Sequence, residues 1–297
     1  MTTTPRFRGT GTAIVTPFRK DGSLDEQALR KLVEFQVAGG VEAIVPVGTT
    51  GENPTLTQEE QFRVVDIVVD ATRRRAKVFA GAGSNSTAKA VELARHAKSA
   101  GADAALVVGP YYNKPTQEGY FQHFRSIAEA SDIPVIVYNV PGRTGGNIEA
   151  ATVLRMAEEI PFVSGVKEAS GNLNQIMEIA RNRPARFSLL SGDDAFTLPL
   201  MSLGGDGCIS VVANETPAEF SRMVRCCIEG KWDDALKLHN KLLPLMNANF
   251  IEANPIPVKT AVAMMGMIEE TFRLPMVPIG SKNREILRSI LKDQKLV

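Results

Sequence analysis

Short apolar runs recur along this chain at a nearly even spacing: TAIVTP (12–17), AIVPVG (43–48), KVFAGAG (77–83), AALVVGP (104–110), PVIVYNV (134–140), FVSGVKE (162–168), FSLLSGD (187–193) and CISVVAN (208–214). They are rich in β-branched residues and largely apolar at successive positions, as strands buried on both faces of a parallel sheet must be. Between them lie segments with apolar residues at helical spacing, among them 25–38, 58–72, 87–100 and 117–130. Asp25 and Thr57 stand where helix caps belong, Thr57 with Glu60 three places on in a capping-box pattern. Gly39, Gly101 and Gly230 stand where helices stop. Eight strands, each followed by a helix, predict an α/β chain folded as a closed (β/α)8 TIM barrel. A doubly wound open sheet is the competing architecture, but it carries a GxGxxG turn after its first strand, whereas GTGTAI precedes the first run here.

From Lys231 the pattern becomes helical only, in WDDALKLHNKLLPLMNANF, PIPVKTAVAMMGMI and SKNREILRSILKDQ. The expected division is a (β/α)8 barrel over 1–230 and a small all-helical C-terminal domain over 231–297. Met264, Met265 and Met267 fall at helical spacing and read as core.

A net charge of +1 and 23% charged residues give no bias toward nucleic acid or membrane surfaces, so neither is an expected partner. Cys208, Cys226 and Cys227 have no CxxC spacing and only His96, His123 and His239 could add imidazole, so no disulfide framework and no metal site is expected. The start lacks the apolar core of a signal peptide, and no stretch of 18 apolar residues occurs; a cytoplasmic protein is expected.

In a barrel the site forms at the C-terminal strand ends and in the loops after them. There this sequence places GTTGENPT (48–55), GPYYNKP (109–115), YNVPGRTG (138–145), GVKEASGN (165–172) and SGDD (191–194). Lys167 is the anomaly: an ammonium at the end of an apolar run is rare unless something uses it. Only a neutral amine attacks a carbonyl, and desolvation disfavours the ammonium, so a buried lysine at a barrel mouth suits a Schiff base with a keto acid. The bland alternatives are a side chain that snorkels out or pairs with Glu168, though strand alternation sends Lys167 and Glu168 to opposite faces. Tyr138 is either an ordinary strand aromatic or a phenol that passes protons near Lys167, with Thr49 as relay. The Thr49-Thr50 pair is either turn chemistry or a cradle for a carboxylate. Arg143 is either a surface arginine or a bidentate partner for a second carboxylate. Asp193 and Asp194 read as caps of the next helix rather than an acid/base pair.

In this order and spacing, GTTGE, GPYYNKP, YNVPGRTG, GVKEASGN and SGDD, with NPIPVKTA and RLPMVPIG further on, resemble the 4-hydroxy-tetrahydrodipicolinate synthases. These are pyruvate-condensing Schiff-base lyases of lysine and diaminopimelate biosynthesis, and the likeness covers essentially the full chain. The resemblance implies that Lys167 forms the Schiff base and that Tyr138, Thr49 and Tyr112 make a proton relay, Tyr112 reaching in from a neighbouring subunit. It further implies Thr50 on the carboxylate of pyruvate, Arg143 on that of L-aspartate 4-semialdehyde, and Gly192 and Ile209 lining the pocket. A homotetramer built as a dimer of dimers is implied, with no cofactor. Sister lyases that cleave sialic acids or deoxy sugar acids share the lysine and tyrosine, while Arg143 and GTTGE favour the synthase; a non-catalytic metabolite-binding barrel is the alternative of another class. Many of these synthases are inhibited by L-lysine at a cleft between subunits. Asn85 and Tyr111 match that cleft, but Lys89 replaces a glutamate, and Gln58 and Gln61 replace histidines, so weak or absent inhibition is expected.

Overall fold

The computed structural model describes residues 6–297, and among these, eight parallel strands close into a barrel in chain order. They are β1 (Gly9–Ala13), β2 (Ala43–Val45), β3 (Lys77–Gly81), β4 (Ala104–Val108), β5 (Val135–Asn139), β6 (Val163–Glu168), β7 (Ser188–Ser191) and β8 (Gly207–Ser210). The outer layer runs α1 (Glu26–Ala38), α2 (Gln58–Thr72), α3 (Thr87–Ala100), α4 (Gln117–Ser131), the short α5 (Pro141–Thr144), α6 (Ala150–Glu159), α7 (Leu173–Asn182), α8 (Thr197–Ser202) and α9 (Pro217–Ile228). Three further helices follow, α10 (Trp232–Ala248), α11 (Ile256–Met264) and α12 (Ser281–Asp293). The closed (β/α)8 barrel followed by a helical C-terminal region is thus the architecture, and the open-sheet alternative falls.

Local chemistry explains the helix bounds. Asp25 caps α1 by accepting from the Ala28 amide at 3.0 Å, and Thr57 and Glu60 complete both halves of the capping box on α2. Gly101 ends α3 in the left-handed region at φ 90°, which a Cβ would disfavour.

The first strand lies earlier than expected: GTGTA itself is β1, while Ile14, Val15, Thr16 and Pro17, the later part of the run TAIVTP, leave the sheet as a buried loop. The seam with β8 is the reason, since a Cβ on Gly207 would come within 1.8 Å of the Gly9 carbonyl oxygen. Small residues therefore occupy the strand, and Thr12 satisfies its buried hydroxyl by donating to Gln36 Oε1 at 2.7 Å. Ile14 and Val15, whose apolar pattern marks the expected strand, are buried just beyond it.

Inside the barrel, Ala13, Val45, Phe79, Leu106 and Ile136 pack with Tyr138 and Ile209. A larger layer fills the space between strands and helices. A third cluster runs from Cys208 and Phe220 into Leu242, Leu245, Leu287 and Leu291, so the last barrel unit and the C-terminal helices share one apolar interior. The turn at Glu229 to Lys231, where the sequence pattern changes, separates α9 from α10. Met264, Met265 and Met267 are half-buried at the rim rather than in the core.

His123 on α4 is buried; its Nδ1 shares a 2.9 Å hydrogen bond with Thr87 Oγ1, while Nε2 meets no partner among the described residues. Burial pushes its pKa down to about 4. Because an unfolded histidine titrates near 6.5, the unfolded chain binds more protons between these values, so stability is lost as pH falls through that window. The expected outcome is a fall in thermal unfolding temperature from about pH 7 to about pH 5 that is smaller in His123→Gln. An equal fall in both proteins would contradict this assignment.

Candidate active site

Lys167 is the penultimate residue of β6, in register with Tyr138 on β5 and Leu190 on β7, and its side chain is buried. Its Nζ lies 4.0 Å from the centre of the Tyr138 ring. Glu168 turns to the opposite face, where Asn139 Nδ2 and Gln175 Nε2 each donate to it at 3.0 Å. Among the described residues the two ion pairs with both side chains buried are Lys259–Glu52 and Arg183–Asp206, and Lys167 belongs to neither. Lys167 is therefore a buried amine held against an aromatic face, with no carboxylate paired to it among the described residues.

This amine opens into a cavity of about 350 Å³ at the C-terminal rim of the barrel. Val45 and Leu106 give it apolar walls, and Thr49, Thr50 and Asn254 bring polar groups. Gly192, which follows β7, makes room for the lysine: a Cβ there would lie 2.7 Å from Ala169 Cβ and 3.0 Å from Lys167 Cε. Ile209 on β8 is fully buried among the residues of the barrel interior. Arg143 projects from α5 at the cavity mouth, where its guanidinium is exposed.

Both aromatic residues of the β4 loop are solvent-facing to different degrees. Tyr111 lines the cavity, whereas Tyr112 is 90% exposed, sits at φ 72° and does not line it. The structure therefore brings together Lys167, Tyr138, Thr49, Thr50, Arg143 and Gly192, sets Ile209 in the barrel interior behind them, and leaves Tyr112 outside the cavity of its own chain.

The two aspartates of SGDD part company. Asp193 Oδ1 accepts from the Ala195 and Phe196 amides and so caps the turn into α8. Asp194 does not cap that helix; it is fully buried and accepts from the Val211 and Val212 amides at 3.1 and 2.8 Å, fixing the exit of β8. Burial pushes its carboxyl up to about 6.

The loop after β2 is held under strain. Val47 and Glu52 both lie in the left-handed region, at φ 58° and 54°, a conformation that costs a non-glycine residue about 1–3 kcal/mol and persists only where surroundings impose it. Part of those surroundings comes from the far end of the chain. Asn254 Nδ2 donates to Thr50 Oγ1 at 3.1 Å, and Lys259 on α11 pairs with Glu52. Arg273 donates from its amide to Glu52 Oε2 at 3.3 Å and from Nη1 to the Thr55 carbonyl at 2.9 Å. Burial pushes the Lys259 pKa down to about 8, against the pull of Glu52. Asn254, Lys259 and Arg273 are not legible as site residues; the one available signal is a lysine inside the apolar run PIPVKTAVA.

The residues matched to a regulatory cleft are scattered in their contacts. Lys89 is exposed in the first turn of α3, and the Asn85 carbonyl accepts from Asn113 Nδ2 at 2.9 Å. Gln58 reaches Glu92 at 3.5 Å, while Gln61 is buried and donates to the Asn53 side chain at 2.9 Å. Among the described residues no three His, Cys, Asp or Glu side chains are grouped to hold a metal ion.

Against known proteins, the chain matches the model of the dihydrodipicolinate synthetase family over residues 6–294. It is 53% identical over 97% of its length to a 4-hydroxy-tetrahydrodipicolinate synthase of Prosthecochloris aestuarii, and 97% of that protein is covered. The crystal structure of dihydrodipicolinate synthase from Aquifex aeolicus superposes with a TM-score of 0.96 at 46% identity, over 98% of this chain and 99% of that one. A monomeric dihydrodipicolinate synthase variant also superposes with a TM-score of 0.96, at 44% identity over 98% of each chain. With a strand-end lysine in the barrel mouth, a match that runs almost from end to end, and relatives at this identity, the chain belongs to the dihydrodipicolinate synthetase family.

Proposed function

We propose that this chain condenses pyruvate with L-aspartate 4-semialdehyde as a 4-hydroxy-tetrahydrodipicolinate synthase, over a barrel at 1–230 with residues 231–297 as a helical appendage. The observation that carries the reading is Lys167: buried, paired with no carboxylate among the described residues, and held 4.0 Å from the Tyr138 ring where it lines the cavity. Its amine adds to the keto carbon of pyruvate, the carbinolamine loses water to an imine, and loss of a methyl proton gives an enamine. Tyr138 is the proton carrier for these steps, with Thr49 as its relay. Thr50 and the neighbouring amides receive the carboxylate of pyruvate, and Arg143 at the mouth receives that of the semialdehyde. The enamine carbon attacks the aldehyde, the product amine then closes on the imine carbon, and the lysine is released.

Tyr112, exposed on its own chain, completes the relay from a second copy in a dimer within a tetramer, in the cytoplasm. The monomeric relative makes the oligomeric state a matter for measurement by ultracentrifugation together with the activity of Tyr112→Phe. A large fall in turnover with the assembly intact is expected; unchanged turnover would exclude this hydroxyl from the relay.

Borohydride reduction in the presence of pyruvate is expected to leave a mass adduct on Lys167. Lys167→Arg keeps the charge but not the nucleophile, and its turnover is expected to fall roughly a thousandfold or more, about 4 kcal/mol, with the fold retained. No adduct, or near-normal turnover in that variant, would end the covalent reading. Activity on N-acetylneuraminate alone would transfer the chain to the sister lyases. Gly192→Ala is expected to slow adduct formation about tenfold or more, because the new methyl group displaces the lysine stem. A rate equal to that of the unaltered chain would show that the stem moves aside freely.

L-Lysine is expected to inhibit weakly or not at all, since an ammonium at Lys89 stands where sensitive relatives carry a carboxylate and Gln61 is turned inward to Asn53. The sign reversal lowers affinity about tenfold for each 1.4 kcal/mol of lost contact. Titration of initial rate with lysine checks this, and strong submillimolar inhibition would refute it.

A further inference from the structure

The strained loop after β2 carries Thr49 and Thr50 into the cavity and is held from two sides, the barrel and the C-terminal region. From the barrel, Thr16 Oγ1 donates to the Gly51 carbonyl at 2.7 Å and Gln61 Nε2 to the Asn53 carbonyl at 3.1 Å; from the C-terminal region, Asn254 donates to Thr50, and Glu52 is the one charged anchor of the loop. Its carboxylate takes Lys259 Nζ on one oxygen and the Arg273 amide on the other. Lys259 is completely buried, with Nζ 4.0 Å from the centre of the Phe18 ring and 5.3 Å from that of Phe272. Arg273, the other cation near it, is itself engaged by Glu60 at 2.6 Å through both terminal nitrogens.

A buried ion pair is a poor source of stability, because removing two charges from water offsets most of their attraction. It is a good source of geometry, because a carboxylate held by two fixed donors has few other places to go. That carboxylate lies two residues after Thr50, on the loop that brings Thr49 and Thr50 to the cavity. Lys259 does not line the cavity and so touches no substrate.

We infer that Lys259 is a positioning residue for recognition of the first substrate's carboxylate: through Glu52 it fixes the 48–55 loop, so that Thr49 and Thr50 are set before the keto acid arrives. The inference rests on the keto-acid reading of the cavity and goes beyond it. Without the pair the loop must be ordered at the moment of binding, which weakens binding of the keto acid and leaves the chemistry at Lys167 untouched.

The test uses the full chain with Lys259→Met, with Glu52→Gln, and with both together. Lys259→Met alone strands a buried carboxylate and is expected to lower thermal stability; the double variant removes both charges and is expected to regain it. In Lys259→Met and in the double variant, KM for pyruvate is expected to rise about tenfold or more, with kcat and KM for the semialdehyde within about threefold. Where neither lysine variant folds, Glu52→Gln reads the same split. A folded variant with unchanged KM for pyruvate overturns the inference, as does a loss confined to kcat. Failure of the unaltered chain to form a borohydride-trapped pyruvate adduct would instead remove the keto-acid reading, so the two failures are distinct.

Discussion

Closure of a parallel barrel buries every strand on both faces, and this constraint sorts the polar side chains of the wall. Thr10 on β1 keeps a buried hydroxyl without a partner among the described residues, but the others named here are either satisfied by a neighbour or stand at the rim, where a cavity begins. Thr12 takes the first course through Gln36, and Glu168 takes it through Asn139 and Gln175. Lys167 takes the second. Its one-residue offset from Glu168 puts it on the inner face, so strand alternation alone separates the amine from the carboxylate that would neutralise it. The register between β5 and β6 then sets Tyr138 against it without any loop being involved.

Much of this is legible in the sequence because it arises from short periods. Buried runs of parallel strands, helical spacing between them and the cap at Thr57 are all local patterns, and an ammonium ending an apolar run is a local contradiction. The apolar pattern misplaces the first strand because the seam with β8 demands glycine and threonine, which weaken an apolar signal, while Ile14 and Val15 are buried by a loop. Asp194 reads as a cap because its neighbour is one; its true partners, the amides of 211 and 212, come from the next strand's exit. The clamp on the β2 loop is out of reach for a different reason. Asn254, Lys259 and Arg273 act on residues about two hundred positions away, and no period in a single sequence links them.

Strand ends carry Lys167 and its aromatic neighbour Tyr138, while the loop that lines the same cavity takes part of its support from the C-terminal region. This division places the buried amine on a strand of the closed sheet and the two threonine hydroxyls on a loop whose shape is set partly from outside the barrel. Arg143, exposed at the mouth on a four-residue helix, lies at the free end of that scale.

Because the clamp is supplied by Lys259 and Arg273 of a 297-residue chain, the order of synthesis matters. A ribosome releases every strand of the barrel well before it releases α11 and the segment after it, and the exit tunnel delays those residues further. During that interval the loop with Thr49 and Thr50 is without the partners that Asn254, Lys259 and Arg273 supply. The last barrel unit waits on the same stretch, since Cys208 and Phe220 pack with Leu242, Leu245, Leu287 and Leu291, so a message cut short after the eighth strand leaves both the loop and that face of the barrel without their partners.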